Sequence, residues 1–471
     1  MRHTRFADWI RLRACLGPAL AFLAVTLVTA GQVSGAHAQD AAAGTLPAKL
    51  AGHGGPIMAV AVDPASKRVL TASFDYSIIF HNLTTGGETI VHRLFGHEAA
   101  VNDVAFVPGS DLAISVSDDG SFAIWDLEKG SLVKRFTDTP DKVLDLDVSD
   151  DGRLAAIARW DGTARVFSIS EQREIARLEG HRGNVNAVAF SADAATLYTA
   201  SYDGTIRAWD LADAKEKAMV HDHGWGVNVL ARHAGALVFG GLDGTLARVD
   251  IASRESVEMA KSDRPVLSLN LSADGSRLAA GFGDGHIRIF RTEDWSALED
   301  YDTAYGPVWG LDFADAGGNN LYHSGLDDFA ILWQVDPRKP FDRPQGVYPR
   351  RFQMTADMSV GERQFQRKCS VCHTLERDGG NRAGPTLYKL FGRKAGSVPG
   401  YPYSDSLRNS GIVWTEQTVA KLFDEGPDII TPGSKMPLQR LKNIEDRDAL
   451  IAFLKTATDP EAGFRQGDIG Q

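Results

Sequence analysis

Two cysteines and a histidine in the last third of the chain carry the pattern with the clearest chemistry. Cys369, Cys372 and His373 read Cys-x-x-Cys-His, which is typical of covalent attachment of a c-type haem. Two thiols at this spacing can reach the two vinyl groups of one porphyrin, and the next residue supplies an imidazole to the iron. The alternative is a redox-active or zinc-binding Cys-x-x-Cys, which needs a thioredoxin-like context or a second Cys/His pair. Because Cys15 is the only other cysteine, the pattern favours a haem.

The residues around this motif resemble the small class I cytochromes c of the mitochondrial and α-proteobacterial type. The resemblance covers residues 361–458 and implies a small all-α domain whose terminal helices cross near Gly361. The motifs that carry it follow one another in the family's order: Gly361, Phe365, Gly384-Pro385-Thr386-Leu387, Gly392-Arg393-Lys394-Ala395-Gly396, Gly400-Tyr401-Pro402-Tyr403, Gly411-Ile412-Val413-Trp414, Pro432-Gly433-Ser434-Lys435-Met436-Pro437 and Leu450-Ile451-Ala452-Phe453-Leu454-Lys455.

The resemblance also implies the second axial ligand of the iron. Met436 lies in the segment that matches the family's methionine loop, whereas Met354 and Met358 precede the haem motif and have no matching loop. A thioether opposite an imidazole raises the reduction potential of haem iron. With both axial positions filled, we expect the iron to pass single electrons rather than to bind oxygen.

Further residues match positions that contact the haem in this family. The Pro385 carbonyl matches the acceptor for the His373 ring N–H, which would orient the imidazole. Phe423 stands where the family usually has a tyrosine near the methionine, and Leu407 replaces an asparagine. The remaining matches are Arg393, Tyr403 and Trp414 near the haem propionates and Ser434 in the methionine loop.

A repeat dominates residues 39–335. An aspartate recurs every 40 to 44 residues, at positions 75, 119, 161, 203, 243, 284 and 327. An aromatic residue follows six positions later in five of the seven repeats, and Gly-His pairs precede three of them. This pattern resembles the WD40 family, in which each repeat is one four-stranded blade of a β-propeller. The expected fold is therefore multidomain: an all-β seven-bladed propeller followed by the small all-α cytochrome c domain.

Histidines of the propeller allow two interpretations. In the WD40 family such a histidine bonds to the repeat aspartate inside one blade, which is the structural interpretation of His53, His97, His181 and His223. A metal site is the alternative, and His221 forms a His-x-His pattern with His223. Because no further ligand is identifiable, the structural interpretation is favoured. Blades three, five and six lack the full set of repeat residues, so we expect incomplete hydrogen-bond networks there.

The segments outside the two domains are an N-terminal stretch that suggests export, a linker between the domains and a C-terminal tail. Residues 1–38 combine a basic start, an apolar stretch from Leu16 to Val28 and the small-x-small site Ala36-His37-Ala38, which is typical of a cleaved signal peptide. An uncleaved anchor is the alternative, but the apolar stretch is shorter than the roughly 20 residues of a membrane span. We therefore expect a periplasmic protein with no stable membrane span. Residues 336–360 are a Pro-rich linker, and residues 459–471 form a polar tail.

The two domains have net charges of opposite sign, and these charges indicate which classes of partner they can bind. Acidic residues outnumber basic ones in residues 39–335, and the balance reverses in residues 361–458. An acidic propeller argues against nucleic acid as a partner, and the opposite signs allow the haem domain to rest against its own propeller. The sequence thus predicts a carrier of single electrons with one covalent haem c and no catalytic residue. Its redox partner would dock at the haem edge, with the propeller as scaffold. The alternative is a redox enzyme whose propeller holds another cofactor or a metal.

Overall fold

The chain was analysed as a computed structural model. It describes residues 46–83, 89–137, 141–303, 306–338, 358–370, 372–375, 384–399, 401, 403, 405–431, 436 and 440–459. The predicted signal peptide and polar tail, most of the linker, and Ser434 lie outside these residues. No helix in the described part of the chain has both the length and the apolar character that crossing a bilayer requires.

Residues 49–334 form seven four-stranded antiparallel sheets, the blades of a propeller. In blades one to six, four consecutive strands pair in chain order. The strands of blades one to three are β2 (Ile57–Asp63), β3 (Arg68–Ser73), β4 (Ser77–Asn82), β5 (Ile90–Phe95), β6 (Val101–Phe106), β7 (Leu112–Ser117), β8 (Phe122–Asp126), β9 (Ser131–Phe136), β10 (Val143–Val148), β11 (Leu154–Arg159), β12 (Ala164–Ser168) and β13 (Arg173–Leu178). Those of blades four to six are β14 (Val185–Phe190), β15 (Thr196–Ser201), β16 (Thr205–Asp210), β17 (Lys215–Asp222), β18 (Val227–His233), β19 (Ala236–Gly241), β20 (Thr245–Asp250), β21 (Ser256–Lys261), β22 (Val266–Leu271), β23 (Arg277–Phe282), β24 (His286–Arg291) and β25 (Ala297–Asp302).

The seventh blade closes the ring with a strand from the start of the propeller. Its strands are β26 (Gly310–Phe313), β27 (Asn320–Ser324), β28 (Phe329–Gln334) and β1 (Lys49–Ala51). Leu50 pairs with Ala330 and is buried, and the Tyr322 hydroxyl donates to the Pro47 carbonyl at 2.8 Å. Because β1 contributes the outer strand of the last blade, hydrogen bonds between the two ends of the propeller sequence close the ring.

Side chains of the innermost strands form hydrogen bonds between neighbouring blades. These first strands line a central cavity of about 1130 Å³. Asp145 accepts from the backbone N–H of Val188 at 2.9 Å, and Asp312 accepts from Val62, 250 residues away in sequence, at 2.6 Å. Such bonds satisfy buried backbone donors that no strand ladder reaches. Asp103 and Asp147 likewise accept from backbone N–H groups of the next blade. Four further side chains donate instead to backbone carbonyls of the next blade: Asn102, Asn186, Asn228 and Ser268.

The repeat histidines bond to the repeat aspartates, as the structural interpretation predicted. In blade four, His181 Nδ1 lies 3.0 Å from Asp203 and Nε2 lies 2.7 Å from the Thr199 hydroxyl. The Trp209 indole N–H donates to that same hydroxyl at 2.8 Å, so the four side chains form one buried network. The corresponding His–Asp contacts are His53–Asp75, His97–Asp119 and His223–Asp243.

Blade three lacks the histidine and holds its aspartate differently. Two buried arginines, Arg159 and Arg165, form ion pairs with Asp161, and Arg165 also pairs with Glu174. Buried guanidinium groups require such partners because an unpaired buried charge is costly. The network that the sequence predicts to be incomplete is therefore replaced by an ionic one.

Residues 358–459 form a separate helical domain with its own apolar core. Gly361 lies where the first and last helices meet, because a Cβ there would overlap the Ala449 carbonyl. The rings of Phe365 and Phe453 are 5.6 Å apart at the same crossing, and Leu450 is fully buried. The predicted contact of the terminal helices is thus confirmed. The helices are α1 (Val360–Lys368), α2 (Asp405–Arg408), α3 (Glu416–Glu425), α4 (Pro427–Ile430) and α5 (Ile444–Ala457).

Candidate haem-binding site

The end of α1 folds the three residues of the Cys-x-x-Cys-His motif into one compact turn. The Cys369 N–H donates to Phe365 at 2.8 Å, and the N–H groups of Cys372 and His373 both donate to the Cys369 carbonyl, at 3.1 and 2.9 Å. Cys369 is buried and Cys372 is partly exposed, and neither forms a disulfide. Burial raises the pKa of the Cys369 thiol to about 12, so it stays protonated near neutral pH.

The imidazole of His373 is oriented by two neighbours in the following loop. Its Nδ1–H donates to the Pro385 carbonyl at 2.7 Å, which is the bond that the family resemblance implies. A proton on Nδ1 leaves the Nε2 lone pair for a metal ion. The ring also rests on Gly384, where a Cβ would overlap the imidazole atoms. The Gly384 N–H donates to the Cys372 carbonyl at 2.7 Å, which ties this loop to the motif.

Met436 belongs to the same domain and packs against its apolar core. It is partly buried, and Phe423 of α3 is among the buried residues of that core. The Leu441 N–H donates to the Phe423 carbonyl at 2.8 Å, which fixes the chain that follows the methionine. A thioether is therefore held inside the domain that carries the imidazole. The rest of the methionine loop lies outside the described residues.

Arg393 and Trp414 meet on a short antiparallel pairing between residues 392–395 and 412–414. Trp414 N–H donates to the Arg393 carbonyl at 2.9 Å, and Lys394 bridges to Val413. The Arg393 guanidinium donates to the carbonyls of Tyr388 and Thr386 at 2.6 and 2.8 Å, and burial lowers the pKa of Arg393.

The charge of the same arginine affects Tyr403. Burial raises its pKa, while a backbone hydrogen bond at Val398 and the positive charge of Arg393 oppose that rise. The ring of Tyr401 lies 4.6 Å from the Tyr403 ring, edge to face. Of the three residues assigned to the propionates, Arg393 and Trp414 are joined by a backbone hydrogen bond, and Tyr403 contacts Tyr401. Arg393 also holds the backbone carbonyls of Tyr388 and Thr386 by hydrogen bonds. This role could not be predicted from the sequence, because every residue has a carbonyl and the acceptors therefore leave no sequence pattern.

These donors suit a covalent haem. The site offers two thiols on one turn, an imidazole with its outer nitrogen held by a carbonyl, and a thioether in the same core. The missing Cβ at Gly384 lets the imidazole seat against the backbone. The two thiols would attach the haem covalently, and the imidazole and the thioether would be the axial ligands of its iron.

Comparison with known families agrees with both halves of this structure. The profile of "WD domain, G-beta repeat" matches residues 44–82, 88–126, 130–168, 172–210 and 257–291, and the profile of "Cytochrome c" matches residues 359–458. The first match spans β1 and the first three strands of blade one, so the sequence repeat is offset from the blade by one strand. Blades five and seven lie largely outside these matches, although their sheets are complete.

Curated relatives cover the helical domain almost entirely. The cytochrome c of Gibberella zeae is 45% identical over 102 residues, which is 22% of this chain and 95% of the relative. The cytochrome c of Arabidopsis thaliana is 42% identical over 105 residues, or 22% and 93%. That of Cochliobolus lunatus is 43% identical over 102 residues, or 22% and 94%. Through its C-terminal domain, which follows a seven-bladed propeller of WD40 repeats, the chain belongs to the cytochrome c family, whose members transfer electrons through haem.

Proposed function

We propose that the protein is a periplasmic carrier of single electrons with one haem c, held covalently by Cys369 and Cys372 and ligated axially by His373 and Met436. The observation that carries this proposal is the fixed orientation of the His373 imidazole. Its Nδ1–H donates to the Pro385 carbonyl, and the ring packs against Gly384. This arrangement presents Nε2 as a neutral, oriented ligand. When bound, the haem iron supplies the exchange of one electron between its ferric and ferrous forms.

Side chains of the protein would attach the haem and supply its axial ligands. Cys369 and Cys372 would each hold the haem through one thioether bond to a vinyl carbon of the porphyrin. Met436 contributes a soft sulfur ligand that favours ferrous iron. Two filled axial positions would keep oxygen from the iron, which suits a carrier rather than an oxidase.

The cellular location rests on the first 38 residues. Their basic start, apolar stretch and small-x-small site fit a signal peptide that is cleaved during export. Haem c attachment outside the cytoplasm is compatible with export of an unfolded chain. A mature chain that begins near Gln39 would then keep two cysteines, and both would be used by the haem.

The propeller offers a surface on which a redox partner could dock. Trp160, Tyr202 and Trp225 are exposed by 55, 60 and 67%. Trp160 and Tyr202 precede the repeat aspartates in turns between the second and third strands of their blades, and Trp225 follows a fourth strand. In an antiparallel blade these connections emerge on the same face. Exposed tryptophan and tyrosine are the residues most often found at the centres of protein interfaces, so this aromatic patch supports a scaffold role.

Axial ligation is tested by comparing two methionines of the same apolar core. Met436→Leu should lower the midpoint potential of the full-length holoprotein markedly, because the sulfur ligand is lost while the volume is kept. Met358→Leu is the matched control, since Met358 is buried in that core and is not assigned to the iron. Its midpoint should stay at the wild-type value. Equal potentials in Met436→Leu and the wild type would refute the proposed ligation.

A further inference from the structure

Blade seven carries a histidine at a position where three other blades carry a hydroxyl. His323 of β27 lies four residues before the repeat aspartate Asp327. The residues at this position in blades one, two and four are Thr71, Ser115 and Thr199. Their hydroxyl oxygens lie 2.8, 2.7 and 2.7 Å from Nε2 of the repeat histidine of the same blade. Blade seven therefore replaces a group that does not titrate near neutral pH with one that does.

The imidazole of His323 is buried at the junction with blade six. The residue is 4% exposed, and its ring lies 6.5 Å from that of Tyr301 on β25, the outer strand of blade six. Tyr301 in turn stacks on Trp333 of β28 at 4.5 Å. Both of these rings belong to an apolar core that also contains Ile289 of blade six and Leu321 of blade seven. His323 thus lies beside the core that joins the two blades.

The surroundings of His323 offer no partner for a second ring proton. Among the residues that the structure describes, none forms a hydrogen bond with its Nε2 atom, and no carboxylate forms an ion pair with it. His323 lines a cavity of about 10 Å³, which has room for one water molecule at most. The titratable groups on this side are the Tyr301 phenol, Asp327 at the same cavity, and Glu299 of β25, which pairs with Arg338 at 3.4 Å. Burial lowers the pKa of His323 to about 4.

We infer that His323 makes blade seven an acid-sensitive part of the propeller, because protonation of its imidazole weakens the packing of blade seven against blade six. A second ring proton would place a charge at a buried site without an acceptor, which is costly. His81 of blade one is also buried, but its two ring nitrogens lie 3.3 and 3.0 Å from the hydroxyls of Thr71 and Thr89.

The place of blade seven in the chain gives this sensitivity a consequence. Blade seven contains the closing strand β1, and the chain continues from β28 into the linker and the haem domain. Acid would therefore weaken the blade that both closes the ring and tethers the haem domain. The inference concerns the propeller alone and does not depend on the haem.

Acid should act between about pH 6.5 and pH 4. The pKa of the imidazole falls from its usual 6.5 to about 4 in the folded blade. The folded blade therefore binds fewer protons in this range, and its stability falls as the pH falls. Hydrogen–deuterium exchange of the full-length protein at pH 7 and pH 5 measures the effect, once each rate is divided by the intrinsic rate at that pH. Protection of residues 320–334 should fall about 20-fold more than that of residues 112–126 in blade two.

His323→Thr tests whether this histidine is the cause, because it restores the residue of blades one and four. The additional loss of protection should disappear, since threonine does not titrate. His323→Gln, which keeps more of the side-chain volume and does not titrate either, should behave in the same way. His286→Gln is the control, because His286 is a partly exposed histidine 2.7 Å from Asp300, and this variant should respond like the wild type.

Two results would overturn the inference. One is an equal loss of protection in blades two and seven of the wild-type protein. The other is an additional loss in blade seven that persists in both His323→Thr and His323→Gln.

Discussion

At the scale of single residues, the site depends on what surrounds His373. Its imidazole has a carbonyl at one nitrogen and a glycine beneath the ring, so its orientation is set before any metal is bound. The sequence motif identified His373, and the family resemblance identified the Pro385 carbonyl. The close approach of Gly384 to the ring could not be read from the sequence, because it depends on how a loop 11 residues later folds back.

Gly384→Ala should change the orientation of the His373 imidazole. The added methyl group would overlap the imidazole, so the ring must tilt or the loop must move. We expect reduced haem incorporation and an altered midpoint potential, measured by visible absorption and voltammetry. Gly392→Ala is the control, since its Cβ would meet no atom within 4 Å although its φ of +83° costs about 1 kcal/mol. That variant should lose stability and keep its spectrum. A wild-type spectrum and potential in Gly384→Ala would contradict this account of the seat.

At the scale of elements, the haem domain depends on the crossing of α1 and α5. Helix α1 ends directly at Cys369, so the helix packing determines where the haem motif begins. Asn443 caps α5 by accepting from Glu445 and Asp446, and Thr415 caps α3 in a reciprocal capping box. Each such cap contributes about 1 kcal/mol. The helices therefore begin at defined residues and hold the crossing in register.

Gly361→Ala should separate these two helices. Its Cβ would overlap the Ala449 carbonyl, and overpacking of this kind costs about 1–3 kcal/mol. Thermal unfolding monitored by haem absorption should show a lower midpoint. Val360→Ala, at an exposed neighbour on the same helix, should unfold near the wild-type temperature. A Gly361→Ala protein as stable as the wild type would show that the crossing is not close-packed.

The elements also show what sequence patterns can and cannot reveal. The recurring aspartate predicted seven blades, and the structure confirms them even where the family profile does not match. The ring closure by β1 was not predicted, because a three-residue strand carries little periodicity. The arginine network of blade three was also missed. Its ion pairs join the repeat aspartate Asp161 to Arg159 and Arg165, which the repeat pattern does not include.

At the scale of the whole molecule, buried carboxylates join the blades around the central cavity. Burial raises the pKa of Asp103 to about 7, and Asp147 nearby adds to that rise. Burial likewise raises the pKa values of Asp147 and Asp312, to about 6 and about 7. These groups bond to backbone N–H groups of neighbouring blades, so their ionisation affects the stability of the ring.

Asp103→Asn should isolate this effect. A folded pKa above the usual 3.8 gives stability that is fully present below about pH 4 and lost as pH rises toward 7. Asparagine does not titrate, so the variant should gain stability relative to the wild type between pH 5 and pH 8. Each pH unit between the two pKa values corresponds to about 1.4 kcal/mol. Denaturant unfolding at both pH values measures the difference.

Asp213→Asn is the control for that titration. Asp213 is exposed, and its pKa is lowered by a hydrogen bond from Lys215. The stability of the Asp213→Asn variant relative to the wild type should therefore not increase between pH 5 and pH 8. A pH-independent difference for Asp103→Asn would mean that its carboxyl is already ionised in the folded ring.

The most direct test of the electron carrier is the mass of one peptide. The holoprotein should be made in a host that matures c-type cytochromes and cleaved with trypsin after Lys368. We predict that the peptide containing Cys369, Cys372 and His373 carries one haem and no thiol that can be alkylated. Recovery of that peptide with both thiols free would contradict the central claim.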